Sequence, residues 1–155
     1  MENIRIADGT PCLAEIKKLI AEYAASLGRD LSFQHLDAEL CDLSGKYSGA
    51  NGRLLAALAE DGTVVGCVAF HRHSAVRCEM KRLYVKPAWR HLHAGRLLAE
   101  GVIAAARRDG YREMVLDTIA PLKSAIKMYR GLGFQEIPAY YDNPMPDVIY
   151  MKLEL

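Results

Sequence analysis

One stretch of the sequence combines basic and small residues in a pattern that suits an anion. Arg90, Gly95 and Arg96 lie within CEMKRLYVKPAWRHLHAGRLLAEGV, residues 78–102, where a predicted strand ends and a predicted helix begins. Backbone N–H groups at a helix N-terminus point outward, and the helix dipole favours negative charge there. A pyrophosphate could bond the amides of residues 91–96 and both guanidiniums. From the residues alone, an ordinary strand–loop–helix with solvated arginines is an equally good interpretation.

The elements that must position this stretch show two different hydrophobic periodicities. Apolar residues recur at helical spacing from Leu13 to Leu27, and the same spacing predicts three more helices over 32–43, 97–108 and 122–131, the first of them capped by Ser32. Short alternating or continuous apolar runs predict seven strands, over 4–7, 54–59, 64–73, 78–85 and 114–116, from 134, and over 148–153. The element order therefore predicts an α/β protein whose central strands form an antiparallel meander.

The composition limits the partners and the compartment. A chain of 155 residues with 51% hydrophobic residues predicts a single domain over residues 1–155, and a net charge of +1 predicts no nucleic-acid partner. No apolar run reaches membrane-spanning length, so we expect no membrane partner. The four cysteines form no CxxC pair, and MENIRIADGT lacks the pattern of a signal peptide. Both features favour a cytoplasmic location.

Two histidine pairs resemble the start of a metal site. His71 and His73 share a face if their segment is a strand, and His91 and His93 lie in the loop of the anion-binding stretch. A metal site needs a third protein ligand that converges on such a pair, and no spacing in the sequence provides one. We therefore expect no metal.

Three motifs, in this order, resemble the GCN5-related N-acetyltransferase (GNAT) superfamily. KRLYV at 81–85 is followed by a loop at 90–95 that matches the family's pyrophosphate pattern Q/R-x-x-G-x-G/A except at His93. SAIKMYRGLGF at 124–134 resembles the family's helix that ends in Tyr and then Leu-Gly-Phe, and PAYYDNPMPDVIYMKLEL resembles its closing strands. The resemblance implies the GNAT fold, a mixed, mostly antiparallel twisted sheet of about seven strands flanked by about four helices.

The resemblance also implies acetyl-CoA as cosubstrate. In the family, the strand before the loop has a bulge and separates from its neighbour, and the pantetheine arm binds to the freed backbone. His93 replaces a glycine that the family prefers where the backbone has an unusual conformation, and histidine tolerates positive φ better than branched residues do. The corresponding cofactor-binding positions are Leu83, Tyr84, Val85, Arg90, His91, Leu92, His93, Ala94, Gly95 and Arg96.

Two further residues match catalytic positions of the family. Tyr129 corresponds to a tyrosine that can protonate the leaving thiolate as general acid, although its spacing also fits a core residue. Glu79, six residues before Val85, resembles a glutamate that accepts the proton of the amine in histone-acetylating members. An exposed glutamate paired with Lys81 or Arg77 is an equally good interpretation.

The function implied is transfer of acetyl from acetyl-CoA to a primary amine by direct attack. The alternative is a non-catalytic acyl-CoA-binding sensor or regulatory module, which would not need both Glu79 and Tyr129. The acceptor is expected to be a small-molecule or peptide amine selected by residues 28–52 and 137–147, and a homodimer is left open. Within the second segment, aromatic and acidic residues could attract a cation, namely Tyr140, Tyr141, Asp142 and Asp147.

Overall fold

The computed structural model describes residues 3–29 and 36–155 and contains all seven predicted strands. Ser32, the predicted helix cap, lies outside the described residues. The strands are β1 Arg5–Asp8, β2 Gly52–Leu58, β3 Val64–Arg72, β4 Arg77–Val85, β5 Glu113–Ile119, β6 Gln135–Ile137 and β7 Val148–Glu154. The helices are α1 Leu13–Leu27, α2 Leu36–Cys41, α3 Leu43–Lys46, α4 Ala94–Arg108 and α5 Lys123–Gly131.

The helix predicted over 32–43 differs from the structure. Its described part is two short helices, α2 and α3, which are separated at Asp42. The Asp42 carboxylate accepts a hydrogen bond from the Gly45 backbone N–H, at 3.2 Å, and so caps the start of α3. A side chain that bonds the backbone in this way interrupts a helix, because it offers the N–H a partner other than a helical carbonyl.

The seven strands form one sheet in the order β1-β2-β3-β4-β5-β7-β6. Every neighbouring pair is antiparallel except β4 and β5, which are parallel. The predicted mixed, mostly antiparallel sheet is confirmed.

Helices cover both faces of this sheet and produce two cores. On one face, α4 packs against β3 through buried residues such as Val68, Phe70, Leu98 and Val102. On the other face, α1 and α3 bury a second cluster that includes Ile16. Strands covered on both sides need apolar residues on both faces, which explains the continuous apolar runs of the sequence.

Within the described residues, no helix combines the length and apolar character that crossing a membrane requires. All four cysteines are free thiols.

Strand β4 separates from β5 partway along its length. Their parallel pairing covers only Arg77 to Glu79, with Glu79 opposite Val115. Beyond that point β4 contains a bulge, because its register against β3 shifts between Cys67 and Ala69. Arg82 lies in the bulge with a φ of +61°, a left-handed conformation that non-glycine residues rarely adopt. A bulge bends its strand, so a cleft opens between β4 and β5.

A buried ion pair holds the bulge in place. The Arg82 guanidinium donates two hydrogen bonds to the Glu39 carboxylate of α2, from Nε to Oε2 at 2.8 Å and from Nη2 to Oε1 at 3.0 Å. The Lys46 ammonium lies 2.8 Å from Glu39 Oε1. Burial by itself would raise the pKa of Glu39, but hydrogen bonds and charges from Arg82 and Lys46 outweigh it and lower the pKa to about 2.

We expect Glu39→Ala to lower the free energy of unfolding by about 3–5 kcal/mol, because it leaves the buried Arg82 charge without this carboxylate. Urea denaturation followed by circular dichroism measures the change. The matched control is Glu100→Ala, which removes an exposed helical pair with Arg96 and should cost at most about 0.5 kcal/mol. Equal losses in the two variants would show that the buried pair contributes no more than a surface pair.

Candidate active site

The cleft between β4 and β5 opens into a cavity of about 800 Å³. Residues 80–85 of β4 and 116–119 of β5 form its two sides, and α1, α5 and the start of α4 complete it. Of the described residues outside those two strands, the main lining residues are Tyr23, Ser26, Leu27, Pro87, Arg90, His93, Gly95, Arg96, Leu122, Lys123, Tyr129 and Met145.

Most of the predicted cofactor-binding residues line this cavity. They are Leu83, Tyr84, Val85, Arg90, His93, Gly95 and Arg96. The other three predicted residues are not in its lining: His91 is exposed, Leu92 is half-buried, and Ala94 is buried in the core beneath α4. Their contact with a ligand stays a prediction.

Arg90 folds the loop back onto the end of β4. Its Nε donates to the carbonyl oxygen of Val85 at 2.9 Å, and its guanidinium lies 5.5 Å from the centre of the Tyr84 ring. His93 then enters α4 in a left-handed conformation, with a φ of +58°. The position at which the sequence departs from the family glycine therefore does have the positive φ for which glycine is usually required.

The start of α4 fits an anionic group. No side-chain hydrogen bond caps this helix, whose first backbone N–H groups have no partner within the helix itself. Gly95 lies in this first turn and lines the cavity. Among the described residues the cavity lining carries five cationic side chains and a single carboxylate, that of Asp117; the cations are Lys81, Arg82, Arg90, Arg96 and Lys123. Arg82 and Lys81 already lie beside Glu39 and Glu79, whereas Arg90 and Arg96 flank the start of α4 and suit a phosphate-bearing ligand.

Tyr129 lies on α5 and reaches both the core and the cavity. Its ring packs edge-on against Phe134 with 5.8 Å between ring centres, and only 7% of the residue is exposed. It also lines the cavity. Burial raises the pKa of Tyr129, so its phenol keeps its proton at neutral pH.

Glu79 is a buried carboxylate within a hydrogen-bonded group. The Tyr140 hydroxyl donates to its Oε2 at 2.5 Å, while its Oε1 lies 3.2 Å from His73 Nε2 and 3.6 Å from Lys81 Nζ. Burial would raise the pKa of Glu79, but His73, Lys81 and Tyr140 lower it to about 2. Glu79 is not among the residues that line the cavity. Of its two expected partners, the structure provides Lys81, whereas Arg77 pairs with Glu113.

The structure also brings a third metal-type ligand to the first histidine pair. The candidate ligand atoms of His71, His73 and Glu79 all lie within 4.8 Å of one another. The sequence could not show this, because Glu79 reaches the pair across the β3–β4 register. The Lys81 ammonium, 3.6 Å from Glu79, already balances the carboxylate and would repel a divalent ion. The absence of a metal stays a prediction.

Asp117 is the residue that the sequence analysis missed. It lies on β5, lines the cavity, and accepts a hydrogen bond from the Tyr141 hydroxyl at 2.5 Å on Oδ2. Burial raises the pKa of Asp117, and the negative charge of Glu79 raises it further, against the opposing hydrogen bond from Tyr141. The sequence contains one indication of this residue, a single carboxylate inside the apolar strand MVLDTI. An ionised group there is costly unless it is paired or has a functional role.

In the expected acceptor segment 137–147, several of the polar side chains already have partners. The hydroxyls of Tyr140 and Tyr141 are occupied by Glu79 and Asp117. Asp147 pairs with Arg29 at 2.5 and 2.8 Å, which ties the end of α1 to the segment before β7, and Asp142 is exposed. From this segment the cavity lining contains Met145 instead.

The family model for the Acetyltransferase (GNAT) family matches residues 15–134. The chain belongs to the GNAT family. Within the family it is 44% identical over 144 residues to an uncharacterized N-acetyltransferase of Schizosaccharomyces pombe, covering 92% of this chain and 88% of that protein. An uncharacterized N-acetyltransferase of Dictyostelium discoideum is 30% identical, with 98% of this chain and 99% of that protein covered.

Solved structures share the GNAT fold along the whole chain. A GNAT-family acetyltransferase from Staphylococcus aureus superposes with a TM-score of 0.81 at 21% identity, covering 98% of this chain and 99% of that one. A GNAT-family acetyltransferase from Elizabethkingia anophelis, solved with acetyl-CoA bound, gives a TM-score of 0.68 at 21% identity, with 99% of both chains covered. The predicted GNAT resemblance and fold are thereby confirmed.

We expect Gly95→Val to weaken acetyl-CoA binding roughly 10-fold or more, the effect of losing one charge-assisted hydrogen bond at the start of α4. A Cβ at Gly95 would meet only Val85 Cγ2, at 3.9 Å, so the fold should tolerate the change. Isothermal titration calorimetry measures the affinity. Gly131→Val is the matched control, because it adds the same side chain to α5 where no atom lies within 4 Å of a new Cβ. Unchanged affinity in a folded Gly95→Val protein would contradict the phosphate site.

Proposed function

We propose that the protein is an N-acetyltransferase that transfers the acetyl group of acetyl-CoA to a primary amine by direct attack. The observation that carries the proposal is the cleft between β4 and β5, which has cationic side chains and a helix N-terminus at one end and the Tyr129 phenol along its wall. A solved GNAT neighbour that holds acetyl-CoA supports the choice of cosubstrate. In the reaction, a bond forms between the amine nitrogen and the acetyl carbon while the thioester C–S bond breaks. The amine loses a proton and the thiolate gains one.

Two parts of the cleft bind different parts of acetyl-CoA. The pyrophosphate lies at the first turn of α4, where Arg90 and Arg96 add charge to the backbone amides. The pantetheine arm follows residues 83–85 of β4, which extend beyond the pairing with β5. Backbone groups that face the cleft there need partners, and the amides of the arm provide them.

Tyr129 supplies the proton for the leaving thiolate. Its raised pKa keeps the phenol protonated before the reaction. Burial also raises the proton affinity of a thiolate that forms within the cleft, so the leaving group is expelled more easily as a thiol than as an anion.

Two carboxylates could take the proton from the amine. Glu79 stays the predicted base, acting through Tyr140 or a water because it does not line the cavity. Asp117 is the second candidate. It is favoured by its place in the cavity wall and by a pKa that burial raises, which makes it the stronger proton acceptor of the two.

Three other expectations stay predictions. The acceptor is a small-molecule or peptide amine, the location is cytoplasmic, and a homodimer is left open.

We expect Tyr129→Phe to leave acetyl-CoA affinity unchanged and to lower kcat by on the order of 10²-fold, the lower end of the range for a lost general acid. A thiol has a pKa of about 8.5, so its thiolate leaves tolerably well without help. Steady-state release of CoA measures kcat, and calorimetric titration measures the affinity for acetyl-CoA. Tyr111→Phe is the control, because that ring packs against Phe70 away from the cavity.

Full activity in Tyr129→Phe would remove the assignment of the acid. If no amine is turned over by the unaltered protein while acetyl-CoA binds tightly, the protein is a sensor rather than an enzyme.

We expect Asp117→Asn to lower kcat/KM more than Glu79→Gln does, and to alter its pH dependence. A base acts only when deprotonated, and the raised pKa of Asp117 places the acid limb of the unaltered protein above the usual aspartate range near 3.9. In Asp117→Asn that limb should disappear, leaving the ionisation of the amine. The Glu79 carboxyl, with a pKa of about 2, is ionised throughout, so Glu79→Gln should keep the limb. It should shift the limb to lower pH, because it removes the negative charge that raises the pKa of Asp117. A limb that disappears only in Glu79→Gln would make Glu79 the base.

A further inference from the structure

Lys81 and Asp117 face each other where the sheet opens. The last paired residues of β4 and β5 are Glu79 and Val115. Strand side chains alternate between faces, so the next residues on the same face are Lys81 and Asp117. Both line the cavity. The described ion pairs do not join them, so an ammonium and a carboxylate stand apart on opposite sides of the cleft.

Both charged groups keep hydrogen-bonding capacity for a ligand. The Lys81 ammonium has three donors, and its described charged neighbour, Glu79 Oε1, lies 3.6 Å away, beyond an ordinary hydrogen bond. The Asp117 carboxylate accepts the Tyr141 hydroxyl on Oδ2, and its two oxygens together can accept about four hydrogen bonds. Each group can therefore bind a partner of opposite charge without breaking a contact of the fold.

The phosphates of acetyl-CoA do not account for Lys81. Lys81 lies opposite Ala69 and Val85 opposite Gly66 on β3, so they are about three strand residues apart, or roughly 10 Å at about 3.3 Å per residue. The phosphate-binding positions, Arg90 and the first turn of α4, lie beyond that end of β4. Lys81 therefore lies at the end of the cleft where the acetyl group meets its acceptor.

We infer that the acceptor is a free α-amino acid, with its amino group at Asp117 and its carboxylate at Lys81. This inference rests on the proposed N-acetyltransferase function and specifies its acceptor. An α-amino acid carries the ammonium and the carboxylate on the same carbon atom, so a single small molecule can contact both Lys81 and Asp117.

The surroundings of the pair favour an apolar side chain on that amino acid. The described residues that line the cavity from α1 and from the segment before β7 include Tyr23, Leu27 and Met145. A leucine, methionine or phenylalanine side chain would pack against these surfaces, which removes its apolar area from contact with water.

The test compares each amino acid with the amine that lacks its carboxylate. The pairs are L-methionine with 3-(methylthio)propylamine, L-leucine with 3-methylbutylamine, and L-phenylalanine with 2-phenylethylamine. Values of kcat/KM are measured from CoA release for the unaltered protein, for Lys81→Met, and for Lys18→Met, the same change at an exposed position of α1.

We expect the unaltered protein and Lys18→Met to prefer the amino acid of at least one pair by roughly 10- to 100-fold, the effect of one charge-assisted hydrogen bond. In Lys81→Met that preference should fall towards one. The preference of Lys81→Met is divided by the preference of the unaltered protein. This ratio cancels the intrinsic reactivity of each amine and any uniform damage to the fold. If Lys81 had only a structural role, the two proteins would therefore show the same preference.

Other outcomes overturn the inference without touching the proposed function. Turnover of the amines equal to that of the amino acids, or a preference that persists in Lys81→Met, would remove Lys81 as the carboxylate partner. Turnover of L-methioninamide equal to that of L-methionine would point to a peptide N-terminus.

If acetyl-CoA binds but nothing is acetylated, the proposed function fails, and calorimetry of L-methionine with the CoA complex decides the inference. Binding that Lys81→Met abolishes would support it, and no binding would overturn it.

Discussion

The cleft depends on one strained residue, Arg82, in the bulge of β4. A left-handed backbone costs a non-glycine residue roughly 1–2 kcal/mol, so the fold must stabilise it elsewhere. The buried pair with Glu39 does so, because the guanidinium reaches α2 from this backbone position with good bidentate geometry. The bulge bends β4 away from β5 after Glu79, and the cavity follows from that separation.

The charged side chains differ between the two ends of the cleft. The end near α4 is cationic, with Arg90 and Arg96 beside a helix start that no side chain caps, and so suits phosphate. At the other end, Asp117 and Lys81 present opposite charges to the cavity. Glu79 lies behind that wall, and its charge stays fixed because His73 and Tyr140 hold its pKa low. The cavity lining itself carries two groups whose pKa burial raises, Tyr129 and Asp117.

The sequence predicted the features that depend on local pattern and motif. Hydrophobic periodicity located every strand, and the loop motif located the start of α4 and the left-handed residue at His93. The features it missed depend on register between distant strands. Asp117 faces Lys81, and Glu79 reaches His73, only because β4 lies between β3 and β5. The break at Asp42 was missed because a capping side chain competes with helical periodicity.

Amide hydrogen exchange with and without acetyl-CoA tests the central claim, that the separation of β4 from β5 creates the cosubstrate site. The account predicts new protection in residues 81–85 of β4 and at the start of α4, with β1 and β2 unchanged. Binding accompanied by protection confined to other elements, or no change at saturating acetyl-CoA, would contradict it.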